Sequence, residues 1–130
     1  MSAGLHLKAD VVEAASALLA EMSGASPSLK YAALLTDDGF DVARYPALTD
    51  GERFAGMASS MQALGEAVAH ELKIGESEYL LIASATGHVV QLRVPGQEIV
   101  LSALYDNDAT VGHSLAVTRT IAQKAAELLG

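Results

Sequence analysis

Four groupings in this 130-residue sequence carry residue types able to do chemistry. The first is the histidines, His6, His70, His88 and His113, since imidazole ligates metals and moves protons near neutral pH. No two lie within a helical turn of each other, and His70-Glu71 lacks the second histidine of the zinc-protease helix. The second, Asp106-Asn107-Asp108, opens like a calcium loop but lacks the glycine and the distal glutamate at the required offsets. A turn leading to an N-cap at Asn107 or Asp108 explains it better. The third, Gly112-His113-Ser114, sets a nucleophile beside a base, yet adjacent helix positions point about 100° apart. No Gly-x-Ser-x-Gly elbow accompanies it. The fourth, Asp37-Asp38, falls at a hairpin tip where both carboxylates stay solvated, whereas general-acid work needs burial. With no cysteine, no Gly-x-Gly-x-x-Gly and no phosphate loop, the sequence predicts no catalytic residue, no metal site and no cofactor.

Charge and composition narrow the partners. Sixteen acidic against eight basic residues give a net charge of −8, which disfavours nucleic acid and anionic membrane surfaces. Hydrophobic residues make up 51% and aromatic residues 5%, a composition that folds but builds its core from Ala, Leu and Val. Glu13 interrupts the first apolar stretch, so no secretory leader is read, and no stretch is apolar enough to span a bilayer. The expectation is one cytoplasmic domain covering residues 1–130 with no membrane insertion.

The elements that must position these residues follow from spacing and turn chemistry. Val11, Ala15, Leu18, Leu19 and Met22 recur at helical spacing over Asp10–Ser23, and Gly24 and Pro27 end that run. Strands Leu29–Thr36 and Phe40–Tyr45 flank Asp37-Asp38-Gly39, a hairpin signal of type I′. A long helix runs from Thr49, where Thr49 and Glu52 form a capping box, to Lys73. Its large apolar stripe, Phe54, Met57, Met61, Leu64, Val68 and Leu72, suits packing on a sheet. A line of small residues, Gly56, Ser60, Ala63 and Ala67, lies roughly 110° around the helix. Strands follow at about Glu78–Ser84, His88–Val94 and Glu98–Tyr105, joined at Thr86-Gly87 and Pro95-Gly96. A last helix buries Val111, Leu115, Ile121, Ala122, Ala125 and Leu128. The order is α-β-β-α-β-β-β-α: an α+β fold with one five-stranded antiparallel sheet and helices on both faces.

With the first and last strands paired centrally, Phe40–Tyr45 and Glu78–Ser84 become the edges. Asp41, Arg44 and Pro46 protect the former, whereas the latter has no proline, no lysine and no inward charge after Glu78. A two-fold dimer pairing this strand with its copy removes the edge and brings the long helices together.

Asp38-Gly39-Phe40-Asp41-Val42-Ala43 and Glu52-Arg53-Phe54-Ala55-Gly56-Met57-Ala58-Ser59-Ser60-Met61 resemble the middle of the roadblock/dynein light chain family. Leu101 to Tyr105, followed by Asn107–Gly112, is similar to its C-terminal portion. The resemblance implies a roadblock-like fold, related to the profilin and longin sandwiches, in homodimers joined into a ten-stranded sheet. Members of its prokaryotic branch regulate or scaffold Ras-like small GTPases without catalytic residues of their own, and other members are adaptors for motor or signalling peptides. The expected dimer interface is Gly56, Ser60, Ala63 and Ala67 with Tyr79, Leu80, Leu81, Ile82, Ala83 and Ser84. Candidate partner-binding residues are Arg53, Ser59, Gln62, Glu66 and His70. The expected partners are a second copy and a Ras-like GTPase, the alternative being an adaptor that leaves GTP turnover unchanged. Related mixed α/β folds also hold small ligands, which makes a ligand-sensing domain a third class.

Overall fold

The structure is a computed structural model that describes residues 9–46 and 51–130. Helix α1 (Ala9–Ala25) leads into the hairpin β1 (Leu29–Thr36) and β2 (Asp41–Tyr45). Helix α2 (Gly51–Leu72), strands β3 (Leu80–Ala83), β4 (Gly87–Arg93) and β5 (Ile99–Asp106), and helix α3 (Val111–Leu129) complete the expected order. The strands form one antiparallel sheet in the order β2-β1-β5-β4-β3. The first and last strands are therefore central neighbours, and β2 and β3 are the edges. Thr49 and its capping box lie outside the described residues, as does His6.

The alternation of side chains along β1 divides the core. Ala32 and Leu34 join the larger layer with Leu18, Leu19 and Met22 of α1 and Ile121 and Ala125 of α3. Tyr31, Ala33 and Leu35 point the other way, against Ala55 and Ala58 of α2. There Tyr31 meets the Phe54 ring edge-on at 4.4 Å. A strand covered on both faces reads as a continuous apolar run, as β1 does.

Three local expectations are corrected. Asp38 keeps a negative φ and only Gly39 is left-handed (φ 89°), so the β1–β2 turn is not type I′. Gly39 N donates to Thr36 O and Thr36 N to Phe40 O, a turn with a glycine bulge. The N-cap of α3 is Thr110, whose hydroxyl accepts from His113 N, because Asn107 is engaged elsewhere. On α3, Ser114 and Thr118 are buried with Ile121, Ala122 and Ala125, whereas Leu128 is exposed.

Candidate functional site

Helix α2 meets the sheet on a different face from the one its periodicity suggests. Its buried residues are Gly51, Ala55, Ala58, Gln62 and Ala69, which share one line at 100° per residue. Small side chains let the helix rest on the sheet. The large stripe expected to pack there is turned about 100° aside. Met57, Leu64, Val68 and Leu72 are 46–67% exposed, while Phe54 and Met61 are half-buried. Spacing reveals which residues share a stripe but not which stripe meets the sheet.

The displaced stripe flanks β3. Leu80 of β3 lies against Gly65 of α2, where a Cβ would stand 2.5 Å from Leu80 Cδ2. A crevice of about 640 Å³ between the two elements is lined by Met61, Leu64, Val68, Leu80 and Ile82 among others. Of the ten large apolar residues exposed among those described, eight fall between Met57 and Ile82. Strand β3 pairs only with β4, from Leu80 opposite Gln91 to Ala83 opposite His88, so its other side presents unpaired backbone. A concentrated apolar surface beside an open strand edge is the strongest interaction feature of the described residues.

The expected interface residues separate into two sets. Leu80 to Ala83 form the edge strand itself, with Tyr79 and Ser84 directly beside it. Gly56, Ser60, Ala63 and Ala67 are all exposed but lie about 150° from the sheet-facing line, on the outer surface of α2. The candidate partner-binding residues divide similarly. Arg53 and His70 are exposed, whereas Gln62 is buried and faces the sheet, a correction to its expected role. Gln91 Nε2 donates to Ala58 O (2.9 Å) and Gln62 Oε1 (3.1 Å), and Gln62 Nε2 donates to Glu66 Oε2 (2.9 Å). Ser59 Oγ donates to Asp37 O, securing the β1–β2 turn.

Glu66 in turn accepts from Arg93 Nη2 (2.7 Å), while Arg93 Nη1 donates to Asp37 Oδ1 (2.8 Å). One guanidinium thus joins the β1–β2 turn, β4 and α2 on the wall of a hollow of about 1100 Å³. The Arg93 hydrogen bond, followed by that from Gln62, holds the Glu66 carboxyl below its ordinary value. Arg44 pairs with Asp41, and Arg119 faces Glu78 at 3.6 Å and lies over the Tyr79 ring. Arg53 alone of the four arginines has no ion pair with another described residue.

One polar line was not foreseen in the sequence. His88 places Nδ1 2.9 Å from Asn107 Oδ1 and Nε2 2.7 Å from Ser114 Oγ, and its ring stacks on Tyr105. Hydroxyl, imidazole and carboxamide are arranged as in a hydrolase, but Ser114 is 0% and His88 2% exposed. With no solvent access, the line serves structure. The signal was faint: His88 alternates with Val90 and Leu92 on an inward face of β4, and Ser114 and Thr118 recur at helical spacing. No three of His, Cys, Asp and Glu gather into a metal-holding group among the described residues, nor is any of their helices long and apolar enough to cross a membrane.

Residues 16–104 match the family described as the Roadblock/LC7 domain. No curated protein is similar enough in sequence to count as a relative. Among solved structures, an MglB with tetrameric arrangement superposes with a TM-score of 0.83 at 20% identity, covering 93% of this chain and 91% of that one. The gliding protein MglB from Thermus thermophilus gives 0.82 at 18% identity, covering 93% and 92%. A Roadblock/LC7 domain from Streptomyces avermitilis gives 0.80 at 16% identity, covering 88% and 96%. At these identities the likeness establishes the fold.

Proposed function

The chain belongs to the Roadblock/LC7 family, and we propose that it works as a non-enzymatic homodimeric regulator or scaffold for a Ras-like small GTPase. The observation that carries the reading is the open edge of β3 bordered by the exposed stripe of α2. Pairing β3 with its copy about a two-fold axis continues the sheet to ten strands and satisfies the free backbone groups. The same axis sets Met57, Met61, Leu64 and Val68 of one α2 against those of the other. Burying that stripe removes apolar surface worth roughly 25 cal/mol per Å².

The outer face of the helix pair is left for a second protein. It carries the small residues Gly56, Ser60, Ala63 and Ala67, with the exposed cation Arg53 nearby. Small side chains allow a partner's backbone to approach closely, and an exposed arginine with no ion pair among the described residues offers planar hydrogen bonding to a partner carboxylate or phosphate. Arg44, Arg93 and Arg119 are engaged with carboxylates of the same chain. In this reading regulation works by repositioning the partner's own groups, as the resemblance to the family implies, with Arg53 as a contact to the partner.

Mixing the purified protein with each small GTPase encoded in the same genome tests this. A complex selective for one nucleotide state, with altered hydrolysis or exchange, is expected. Binding with unchanged turnover would make the chain an adaptor, and no complex in either state would overturn the proposal.

A further inference from the structure

We propose that Asn107 is a positioning residue for the pairing strand: through its amide and a single tautomer of His88, it fastens the β3–β4 turn to helix α3. The inference rests on the reading of β3 as the dimer edge.

Each link follows from the one before it. Asn107 Nδ2 lies 3.0 Å from both Ser84 O and Ala85 O. Carbonyl oxygens only accept, so the amide nitrogen faces them and the amide oxygen faces His88. That oxygen, 2.9 Å from His88 Nδ1, needs a donor, so Nδ1 carries the proton. Nε2 is left with a lone pair, and Ser114 Oγ donates to it over 2.7 Å. Thr118 Oγ1 donates to Ser114 O, and the Tyr105 hydroxyl lies 2.8 Å from Thr118 Oγ1. The carbonyls at the exit of β3 are thus joined to two turns of α3 and to the central strand β5.

Strand β3 depends on such an anchor. It has four residues and hydrogen-bonds on one side only. Past Ala83 the ladder continues with Ser84 N donating to Gly87 O, and the next two carbonyls belong to Asn107. A strand that must meet its copy in register gains from having its end fixed before the encounter, because ordering it on association would weaken binding. Asn107 supplies that fixation from outside the interface.

Two measurements on the full chain test the proposal. Long-range proton–nitrogen NMR of the wild type reads the His88 tautomer, and the expected result is a protonated Nδ1 with a bare Nε2. A protonated Nε2 would overturn the proposal, and no substitution is needed to see it. Asn107→Asp keeps an oxygen for His88 but turns an acceptor onto two carbonyls. Amide exchange at Leu81–Ser84 is expected to quicken about tenfold, with a comparable rise in the dimer dissociation constant and cooperative melting retained. Wild-type exchange rates in that variant would sink the idea. A monomeric wild type would refute the dimer reading instead, and the exchange contrast would still decide the role of Asn107.

Discussion

Gly65 of α2 and Leu80 of β3 meet so closely that a single added methyl would stand 2.5 Å from Leu80 Cδ2. This contact sets the distance between the helix and the open strand. Gly65→Ala must push the flexible end of Leu80 aside at a cost of about 1 kcal/mol, which the helix propensity that alanine gains over glycine, about 1 kcal/mol, offsets. Urea unfolding should show a midpoint little changed, while the displaced Leu80 weakens the dimer in sedimentation. A dimer as tight as wild type would mean that Leu80 swings away freely.

Adjacent positions on α2 separate the two faces of the helix. Leu64 is 67% exposed in the stripe beside β3, whereas Ala63 lies on the outer line. Leu64→Arg should yield monomers by placing a charge in the apolar seam. Ala63→Arg should remain dimeric and lose GTPase binding. Sedimentation of both variants distinguishes this arrangement from one in which the small residues form the self-contact.

Acid should weaken the bridge made by Arg93. The Glu66 carboxyl is held below its ordinary value of 4.5, chiefly by the Arg93 hydrogen bond. Its stabilisation is therefore present above that pH and fades as pH falls through the lowered value. With the Glu66 side chain about half exposed, Glu66→Gln should cost under about 1 kcal/mol at pH 7. Thermal melts of the two proteins at pH 7 and well below pH 4.5 should show the gap closing in acid.

Helix α2 ends on Lys73 in the left-handed region at φ 57°. Lys73 N bonds to His70 O and Ile74 N to Ala69 O, the bonding pattern of a Schellman cap, which favours glycine. Lys73→Gly relieves the side-chain crowding and should raise stability by up to about 1 kcal/mol, offset in part by a more flexible unfolded chain. A thermal shift assay reads the change directly.

Element order was legible because turn and cap residues punctuate the apolar runs: Gly39 and Pro95-Gly96 fall between strands, and Pro27 follows the end of α1. The edges follow once the first and last strands are paired centrally, and the protective residues of β2, lacking in β3, tell the blunted edge from the open one. The orientation of α2 was hidden, since alanines at 55, 58 and 69 pack on the sheet through their smallness, while the bulky stripe looks more like core. Equally hidden was the line through His88, whose partners Asn107 and Ser114 are 19 and 26 residues away. Only the register of β4 beside β5 and the passage of α3 over that sheet face bring them together.

The placement of β2 at the far end of the sheet carries a last consequence. Once β3 is occupied by a twin, the remaining rims are two copies of β2, each bearing Asp41 and Arg44 and ending at Pro46. These rims discourage further strand addition. Assembly by this route is then self-limiting at two chains.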